Sequence, residues 1–482
     1  MSELNHKVNK ATKWSALTEL VSRVIAPVTS MVLARLLTPD AFGVVTSMAM
    51  IISFADIFTD AGFQKYLIQH EFENDTDRIQ STNVAFWSNF ILSMFIWGMI
   101  AVFASPLAEL VGNPGLGHVL VIACVAIPLS SFSSIQMALY KRSLDFKTLF
   151  KVRMVGILVP LCVTVPLAFC LRSYWALVFG TIIQQLANAV LLTVYSSWKP
   201  SLFYSFSKLK EMLSFTIWSL FESISIWLTN YVDVFIVGTM LSQYYLGLYK
   251  TSTVTVGHIM GMITAATTPI LFSSLSRLQN DDTEFRRLFF RFQKLVGTLV
   301  IPISVGIFCY SDFITAILLG DQWTEASGFI GLWGLTSGIA CVFWHYSSEI
   351  YRAKGRPMLS VLSQWLHILF LWPIVLWSVS QGFETLYVAR SLVRLQGILV
   401  SVVITWFLVR ISFWQMLRNI LPSVTASAAM AGVAFSLRLI SHHIVWQMVS
   451  IAICSLVYVG IMWWFPQERT LVLNLIKKRK EQ

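Results

Sequence analysis

Charged residues recur inside the long apolar stretches of this 482-residue chain, at spacings that place them on shared helix faces. Glu19 and Arg23 are four residues apart, as are Asp56 and Asp60, so each pair occupies one side of a helix. An ionisable side chain in hydrocarbon costs about 2.5–3.5 kcal/mol and therefore usually faces a bundle interior or a wet cavity. In such a place arginine or lysine can bind an anionic group, and a carboxylate can bind a proton or a cation.

A second polar stripe begins at Glu222 and ends at Asp233, with Ser225 and Thr229 between them at helical spacing. The next apolar run carries Lys250, followed by hydroxyl residues and glycines on one face. We therefore expect a hydrated cavity lined by the first, second, seventh and eighth apolar spans. The candidate substrate-binding cations are Arg23, Lys250, Arg35, Arg390 and Arg394, and the ion-coupling candidates are Asp56, Asp60, Glu222, Asp233 and Glu19.

Several of these charges also have a purely structural interpretation. Glu19 and Arg23 can neutralise one another, and Arg390 and Arg394 can pair with Glu384. Arg35, Asp60 and Lys250 lie near the ends of their spans. Their side chains can therefore extend to the membrane interface or to water. The histidines His258, His345 and His367 are either proton carriers or satisfied interior residues. The sequence leaves these alternatives open.

The composition predicts a chain that is dissolved in lipid. Hydrophobic residues make up 56% of it and charged residues 12%, whereas a soluble domain has about 25% charged residues. The mean hydropathy is +0.69. Within a bilayer only helices and closed barrels satisfy their own backbone, and these apolar runs lack the alternation of barrel strands. We therefore predict an all-α integral membrane protein with fourteen spans, at about 14–37, 41–64, 83–105, 118–140, 152–171, 175–197, 212–240, 246–272, 294–311, 326–350, 359–379, 385–409, 421–440 and 445–465.

The positive charges indicate the orientation of these spans. Most of the 35 lysines and arginines lie in alternate connections and in both termini, whereas the opposite connections hold Arg172 alone. Positive residues stay on the cytoplasmic side, so both termini are predicted to be cytoplasmic, as an even number of spans requires. This topology accounts for the net charge of +11 without nucleic-acid binding. The six cysteines lie in apolar runs and are expected to be small buried hydrophobes.

A weak internal repeat relates two of the turns. The segment Leu36–Met50, "LLTPDAFGVVTSMAM", resembles Met240–Val254, "MLSQYYLGLYKTSTV", at an offset of 204 residues. Each makes a short turn after a long span, and each next helix has an early glycine, Gly43 or Gly247. The repeat predicts two parallel six-helix lobes, 1–205 and 206–410, followed by two further helices and a basic cytoplasmic tail, 411–482.

Enzyme motifs are missing from the sequence. It contains no phosphate-binding loop, no H-E-x-x-H and no acidic metal-binding cluster, and its loops are too short for a nucleotide-binding domain. We therefore expect no enzymatic activity, no metal and no cofactor, with H⁺ or Na⁺ as the possible coupling ion.

Several motifs together carry a family resemblance. They include Lys13-Trp14-Ser15, Leu33–Leu37, Pro39 with Phe42-Gly43, Asp60–Gly62, Leu319–Ala326 ("LGDQWTEA") and Tyr351–Pro357 ("YRAKGRP"). In these the chain resembles the polysaccharide transporter family, the Wzx-type and colanic-acid-exporter-like oligosaccharide flippases of the multidrug/oligosaccharidyl-lipid/polysaccharide exporter superfamily. The resemblance is strongest over residues 10–70.

The resemblance implies two six-helix lobes that form a V around a central cavity, with two C-terminal helices. It also implies a cargo, an oligosaccharide repeat unit on undecaprenyl pyrophosphate that moves from the cytoplasmic to the periplasmic leaflet of a bacterial inner membrane. A polysaccharide polymerase and a chain-length regulator are the implied partners. Related lipid II flippases have a sodium site among spans 7, 11 and 12, but span 11 here offers only Ser363, Gln364 and His367 beside Asp233 of span 7.

Two other functions compete with this one. A cation-coupled multidrug exporter of the same fold needs an acidic cavity, whereas this chain places arginine and lysine among the spans. A membrane-embedded polysaccharide polymerase or ligase usually has a large outer loop, and the longest outer connections here are short.

Overall fold

The computed structural model describes residues 2–60, 62–356, 358–441 and 443–465, except for the side chains of residues 2–9, 11, 60, 214–219, 221, 222 and 266. Every extended regular element within these ranges is helical. The α-helices are α1 (Ser2–Leu36), α2 (Pro39–Asp60), α3 (Phe63–Gln69), α4 (Asp75–Val102), α5 (Ala104–Leu110), α6 (Gly117–Ala123), α7 (Ala126–Arg142), α8 (Phe146–Val159), α9 (Val165–Leu171), α10 (Trp175–Tyr195), α11 (Phe206–Met240), α12 (Gln243–Arg277), α13 (Asp282–Cys309), α14 (Ser311–Leu318), α15 (Ser327–Ala340), α16 (Ser347–Ala353), α17 (Met358–Val379), α18 (Phe383–Val409), α19 (Phe413–Arg438) and α20 (Ile444–Trp463).

Fourteen helical segments in the described ranges are long and apolar enough to cross a membrane, which confirms the predicted number of spans. Several helices begin well before the predicted apolar stretch. The side chains of Asn74, Asp281 and Ser412 accept hydrogen bonds from backbone N–H groups in the first turns of α4, α13 and α19. These N-caps stabilise polar turns that hydropathy does not detect, so the helices extend beyond the apolar stretches.

Three predicted spans are less regular than expected. The span predicted at 118–140 is interrupted between α6 and α7, and the spans predicted at 152–171 and 326–350 contain π-helical segments at Pro160–Thr164 and Cys341–His345. Pro160 has no N–H to donate, so the regular ladder of hydrogen bonds is interrupted where the first π-segment begins. Hydropathy alone cannot show such interruptions because the residues remain apolar through them.

The chain forms two compact units, Met1–Lys250 and Thr251–Gln482. In the first unit α7 packs against α2, α3, α4 and α10, α11 lies against α2, α3 and α4, and α1 lies against α8 and α9. Met48, Leu120 and Ile127 are buried in one apolar core of this unit. Between α4 and α7, the Asn89 amide donates to the Ser134 hydroxyl at 2.7 Å, which satisfies two buried polar groups inside the bundle.

In the second unit α13 packs against α15 and α19, α18 packs against α15 and α17, and α20 packs on α19. Tyr310, Met430 and Cys454 are buried in a core between these helices. The Tyr458 hydroxyl donates to the Thr298 carbonyl at 2.8 Å, which joins α20 to α13. The V-shaped arrangement of two six-helix lobes stays a prediction.

All six cysteines are free thiols. Cys124, Cys309, Cys341 and Cys454 are buried as expected, but the expectation is wrong for Cys162 and Cys170, which are exposed on the bundle surface. A thiol is apolar enough to face hydrocarbon, so an apolar sequence context does not distinguish a lipid-facing cysteine from a buried one.

Candidate functional site

The two turns related by the internal repeat lie directly against each other in the first unit. A Cβ atom built on Gly43 would lie 1.8 Å from the Gln243 carbonyl oxygen, and one built on Gly247 would lie 1.9 Å from the Pro39 carbonyl oxygen. Pro39 and Gln243 are themselves equivalent at the offset of 204 residues. The contacts are therefore reciprocal, and both glycines are required because the backbones of α2 and α12 touch. We refer to Pro39, Gly43, Gln243 and Gly247 as the glycine clasp.

Side chains hold the glycine clasp in place. The Gln243 amide donates to the Gly112 carbonyl at 2.7 Å, which ties the start of α12 to the loop after α5. The Ser47 hydroxyl, which is almost fully buried, lies 3.3 Å from the Gln243 side-chain oxygen and 3.3 Å from the Val111 carbonyl. One glutamine thus joins α2, the loop and α12, so the three segments can separate only if these hydrogen bonds break.

A row of aromatic rings leads along α2 and α11 to a lysine. The Phe54 ring lies 5.2 Å from Phe58 and 4.8 Å from Trp227, and Trp227 stacks on Tyr231 at 5.5 Å. The Lys250 ammonium lies 5.2 Å from the Tyr231 ring centroid. We call these five residues the aromatic ladder. Phe54 and Phe58 are 40% and 36% exposed, so their rings remain accessible to a bound molecule.

Two hydrogen bonds hold α11 in position: one at the centre of the ladder and one at the start of the helix. The Trp227 indole N–H donates to the Ser53 hydroxyl at 3.0 Å, which sets the register of α11 against α2. At the start of α11, Glu211 accepts a hydrogen bond from the Tyr66 hydroxyl at 2.8 Å. Burial and this hydrogen bond raise the pKa of the Tyr66 phenol above its ordinary value, so Tyr66 stays neutral and keeps donating to Glu211.

Two of the ion-coupling candidates, Asp56 on α2 and Asp233 on α11, have hydroxyl partners. Asp233 is 5% exposed, and it accepts a hydrogen bond from the Tyr249 hydroxyl at 2.6 Å. Asp56 accepts from the Ser130 hydroxyl of α7 at 3.0 Å. Asp56 lies two residues from Phe54 and thus on a different helix face, so it is not part of the ladder. Their predicted role in ion coupling stays a prediction.

The remaining candidate charges of the first unit lie on α1, at the end of α2 and on α11. Glu19 and Arg23 approach to 3.6 Å, so the structure brings this pair together. Arg35 is exposed near the end of α1. The side chains of Asp60 and Glu222 lie outside the described residues, and their ion-coupling roles stay predictions.

In the second unit, the structure brings Arg390 and Arg394 together on one aromatic ring. Their guanidinium carbons lie 4.9 Å and 3.9 Å from the ring centroid of Trp333, which is buried in α15. Arg394 also donates to the Ser337 hydroxyl one turn further along α15. Two like charges therefore lie on one helix face and against one aromatic ring. The predicted role in substrate binding stays a prediction.

Two histidines of this unit, His345 and His367, contact polar groups of neighbouring helices. The His345 ring lies 3.2 Å from the Thr268 hydroxyl, and the His367 ring lies 3.2 Å from the Gln396 side-chain oxygen. No group of three or more histidine, cysteine, aspartate or glutamate side chains suited to a metal ion occurs in the described ranges.

Sequence reasoning missed four members of the aromatic ladder. Phe54 and Phe58, and likewise Trp227 and Tyr231, are aromatic pairs at a spacing of four residues, which is a detectable signal on a helix. Such pairs are common in apolar spans, so the spacing alone does not distinguish a binding surface from lipid-facing rings. Only the packing of α11 on α2 joins the two pairs into one row.

The sequence and structure are similar to those of known proteins. Residues 32–328 match the model of a family described as polysaccharide biosynthesis protein. The succinoglycan biosynthesis transport protein ExoT of Rhizobium meliloti is 23% identical, with 74% of this chain and 71% of ExoT covered. The lipopolysaccharide biosynthesis protein WzxC of Escherichia coli is 22% identical, with 74% of this chain and 70% of WzxC covered.

Among solved structures, the lipid II flippase MurJ in an inward closed conformation has the same fold. The TM-score is 0.76 at 13% sequence identity, with 96% of this chain and 100% of the MurJ chain covered. This likeness confirms the predicted class of fold, an all-α membrane protein with about fourteen spans. Because the family model matches more than half of the chain, the protein belongs to the polysaccharide biosynthesis protein family, as its sequence motifs predict.

Proposed function

We propose that the protein is a flippase for lipid-linked oligosaccharides. Its cargo would be an oligosaccharide repeat unit on undecaprenyl pyrophosphate, moved from the cytoplasmic to the periplasmic leaflet. The observation that carries this proposal is the aromatic ladder with Lys250 at its end. Sugar rings have apolar faces that pack on aromatic rings, and an ammonium group can form a charge-assisted hydrogen bond with a phosphate.

The named relatives support a saccharide cargo. ExoT is a succinoglycan biosynthesis transport protein, and WzxC takes part in lipopolysaccharide biosynthesis by name. MurJ, which shares the fold, is a lipid II flippase. The protein would act as a transporter without enzymatic activity, in the bacterial inner membrane and with both termini in the cytoplasm. A polymerase and a chain-length regulator would receive the cargo in the periplasm.

The glycine clasp supports an alternating-access route. In the structure the turns at Pro39 and Gln243 are in backbone contact. By the predicted topology these turns lie on the periplasmic side, so cargo release requires the clasp to separate. Hydrogen bonds of Gln243 hold the contact, and they are exchangeable with water when the turns part.

Ion coupling would use the carboxylates of the first unit. Asp233 with Tyr249, and Asp56 with Ser130, are positions where a proton or Na⁺ can bind next to a hydroxyl oxygen. The charge of the bound ion then shifts the equilibrium between the conformations in which the helices that hold these residues take part.

The experiment is transport in proteoliposomes. Purified protein is reconstituted with undecaprenyl-pyrophosphate oligosaccharide, and a membrane-impermeant glycosidase measures how much cargo reaches the outer leaflet. We expect Tyr231→Leu and Lys250→Gln to reduce the initial rate at least tenfold. Phe95→Leu is the matched control, because Phe95 is 64% exposed on α4 and outside the ladder.

Two results would count against the proposal. If wild-type protein leaves the cargo in its original leaflet under every ion gradient, the flippase function is wrong. If the protein instead expels ethidium under the same gradients, the multidrug exporter is the better description.

A further inference from the structure

A large apolar groove lies within the second unit. Its volume is about 860 Å³, and α13, α15, α18 and α19 form its walls together with the first residues of the π-segment after α15. Two serines, Ser304 and Ser427, are its only polar lining residues in the part of the chain that the structure describes. Ser304 donates to the Ile301 carbonyl at 2.8 Å, so it does not require water in the groove. A surface of this kind in a membrane-spanning unit is suited to hydrocarbon chains.

One end of the groove is basic and aromatic. On α18 the lining residues Val402 and Val403 are followed one turn later by Trp406, so Trp406 lies at the end of the groove wall. The Arg410 guanidinium lies 5.5 Å from the Trp406 ring centroid. Arg410 belongs to the short connection between α18 and α19, two of the walls, and Phe413 at the start of α19 lines the groove directly.

The surroundings of Arg410 favour a negative group. Residues 406–420 include Arg410 and Arg418 and contain no aspartate or glutamate. Trp406 and Trp414 are 42% and 74% exposed, and exposed tryptophans are typical of the membrane interface. The groove therefore has the two parts of a lipid site, an apolar channel and a cation at the level of the headgroups.

The charge at the end of the groove favours a phospholipid headgroup. Arg410 is the arginine that contacts Trp406 at the end of the groove wall, and its guanidinium matches the single negative charge of a phosphodiester.

We propose that this groove is a binding site for one anionic phospholipid, whose acyl chains fill the channel and whose phosphate contacts Arg410. Binding of this lipid holds α13, α15, α18 and α19 at their observed spacing, because its chains fill space that would otherwise be empty. The site is independent of the cargo, so it exists whether or not the protein flips an oligosaccharide.

The test is native mass spectrometry of delipidated protein titrated with phosphatidylglycerol or phosphatidylcholine. We expect one phosphatidylglycerol to bind with about fivefold higher affinity than phosphatidylcholine, the preference that one arginine provides near a membrane surface. Arg410→Gln should abolish the preference, and Arg410→Lys should retain it. Arg172→Gln is the matched control, because Arg172 also ends a helix in the left-handed conformation and is exposed.

A second pair of variants tests the channel without changing any charge. Ala431 lines the groove, so Ala431→Trp should fill it and eliminate the retained lipid. Ala429 is exposed on the same helix outside the lining, so Ala429→Trp should leave binding unchanged. Size-exclusion chromatography verifies that each variant is folded. Equal binding of the two phospholipids by wild type, or displacement of phosphatidylglycerol by equimolar undecaprenyl phosphate, would overturn the proposal.

Discussion

The glycine clasp makes the sharpest prediction about conformation. In Gly43→Ala the new Cβ would lie 1.8 Å from the Gln243 carbonyl oxygen, whereas real Cβ contacts essentially never fall below 3.0 Å. The turns must therefore move apart by more than 1 Å, and the obstacle is backbone that cannot rotate away. Overpacking of this kind costs about 1–3 kcal/mol. If the cost falls only on the closed clasp, its population relative to the separated form decreases roughly 5- to 150-fold.

Cysteine accessibility measures this shift. Ser47 is 1% exposed and lies against Gln243, so a Ser47→Cys reporter is shielded while the clasp is closed. The reporter is placed in a chain whose six native cysteines are replaced by serine. We expect Gly43→Ala to increase the rate of labelling by a membrane-impermeant maleimide at least fivefold, and Gly247→Ala to do the same because its contact with Pro39 is equivalent.

The control is Gly98→Ala on α4, where an added Cβ meets nothing within 4 Å. This variant should label at the rate of the Ser47→Cys parent. If Gly43→Ala and Gly247→Ala label no faster than Gly98→Ala, the clasp is a static packing contact and does not control access. If either Gly43→Ala or Gly247→Ala elutes as an aggregate, it is left out. The labelling rate of the remaining variant is then compared with that of Gly98→Ala.

Four further predictions concern the hydrogen bond to Asp233, the roles of Arg23 and Asp56, and the orientation of the protein in the membrane. Tyr249→Phe removes a hydrogen bond to buried Asp233, so it should destabilise the protein by about 1.5–3 kcal/mol, measured as a lower thermal unfolding temperature in detergent. Arg23→Ala should abolish polysaccharide export while the protein remains in the membrane; export at the wild-type level would exclude the role of Arg23. Asp56→Asn should make transport independent of the ion gradient, and an unchanged response to pH in proteoliposomes would contradict this. A cysteine at Ser242 should react from outside intact cells and one at Lys354 only after permeabilisation; the opposite pattern would reverse the predicted orientation.

The spans were predictable from the sequence because each one is an apolar stretch long enough to cross hydrocarbon, and that property is local. The polar starts of helices such as α4 were not predicted, since they depend on the Asn74 cap and on tertiary packing. The same distinction holds within the site. The internal repeat identified Gly43 and Gly247 from local sequence, but their mutual contact spans 204 residues and was visible only after folding.

The clasp and the aromatic ladder are joined by one turn of helix. Gly247 of the clasp and Lys250 of the ladder are three residues apart near the start of α12, a separation of about 4.5 Å along the helix axis. Tyr231 lies on α11, which is joined to α12 by the short turn at Leu241 and Ser242, so Lys250 and Tyr231 belong to one helical hairpin. The contacts of this hairpin with α2 are those of the clasp and those of Trp227 with Ser53 and Phe54. In the proposed transport cycle, separation of the clasp would therefore part Phe54 from Trp227 and divide the aromatic ladder between α2 and α11, while Lys250 stays with Tyr231.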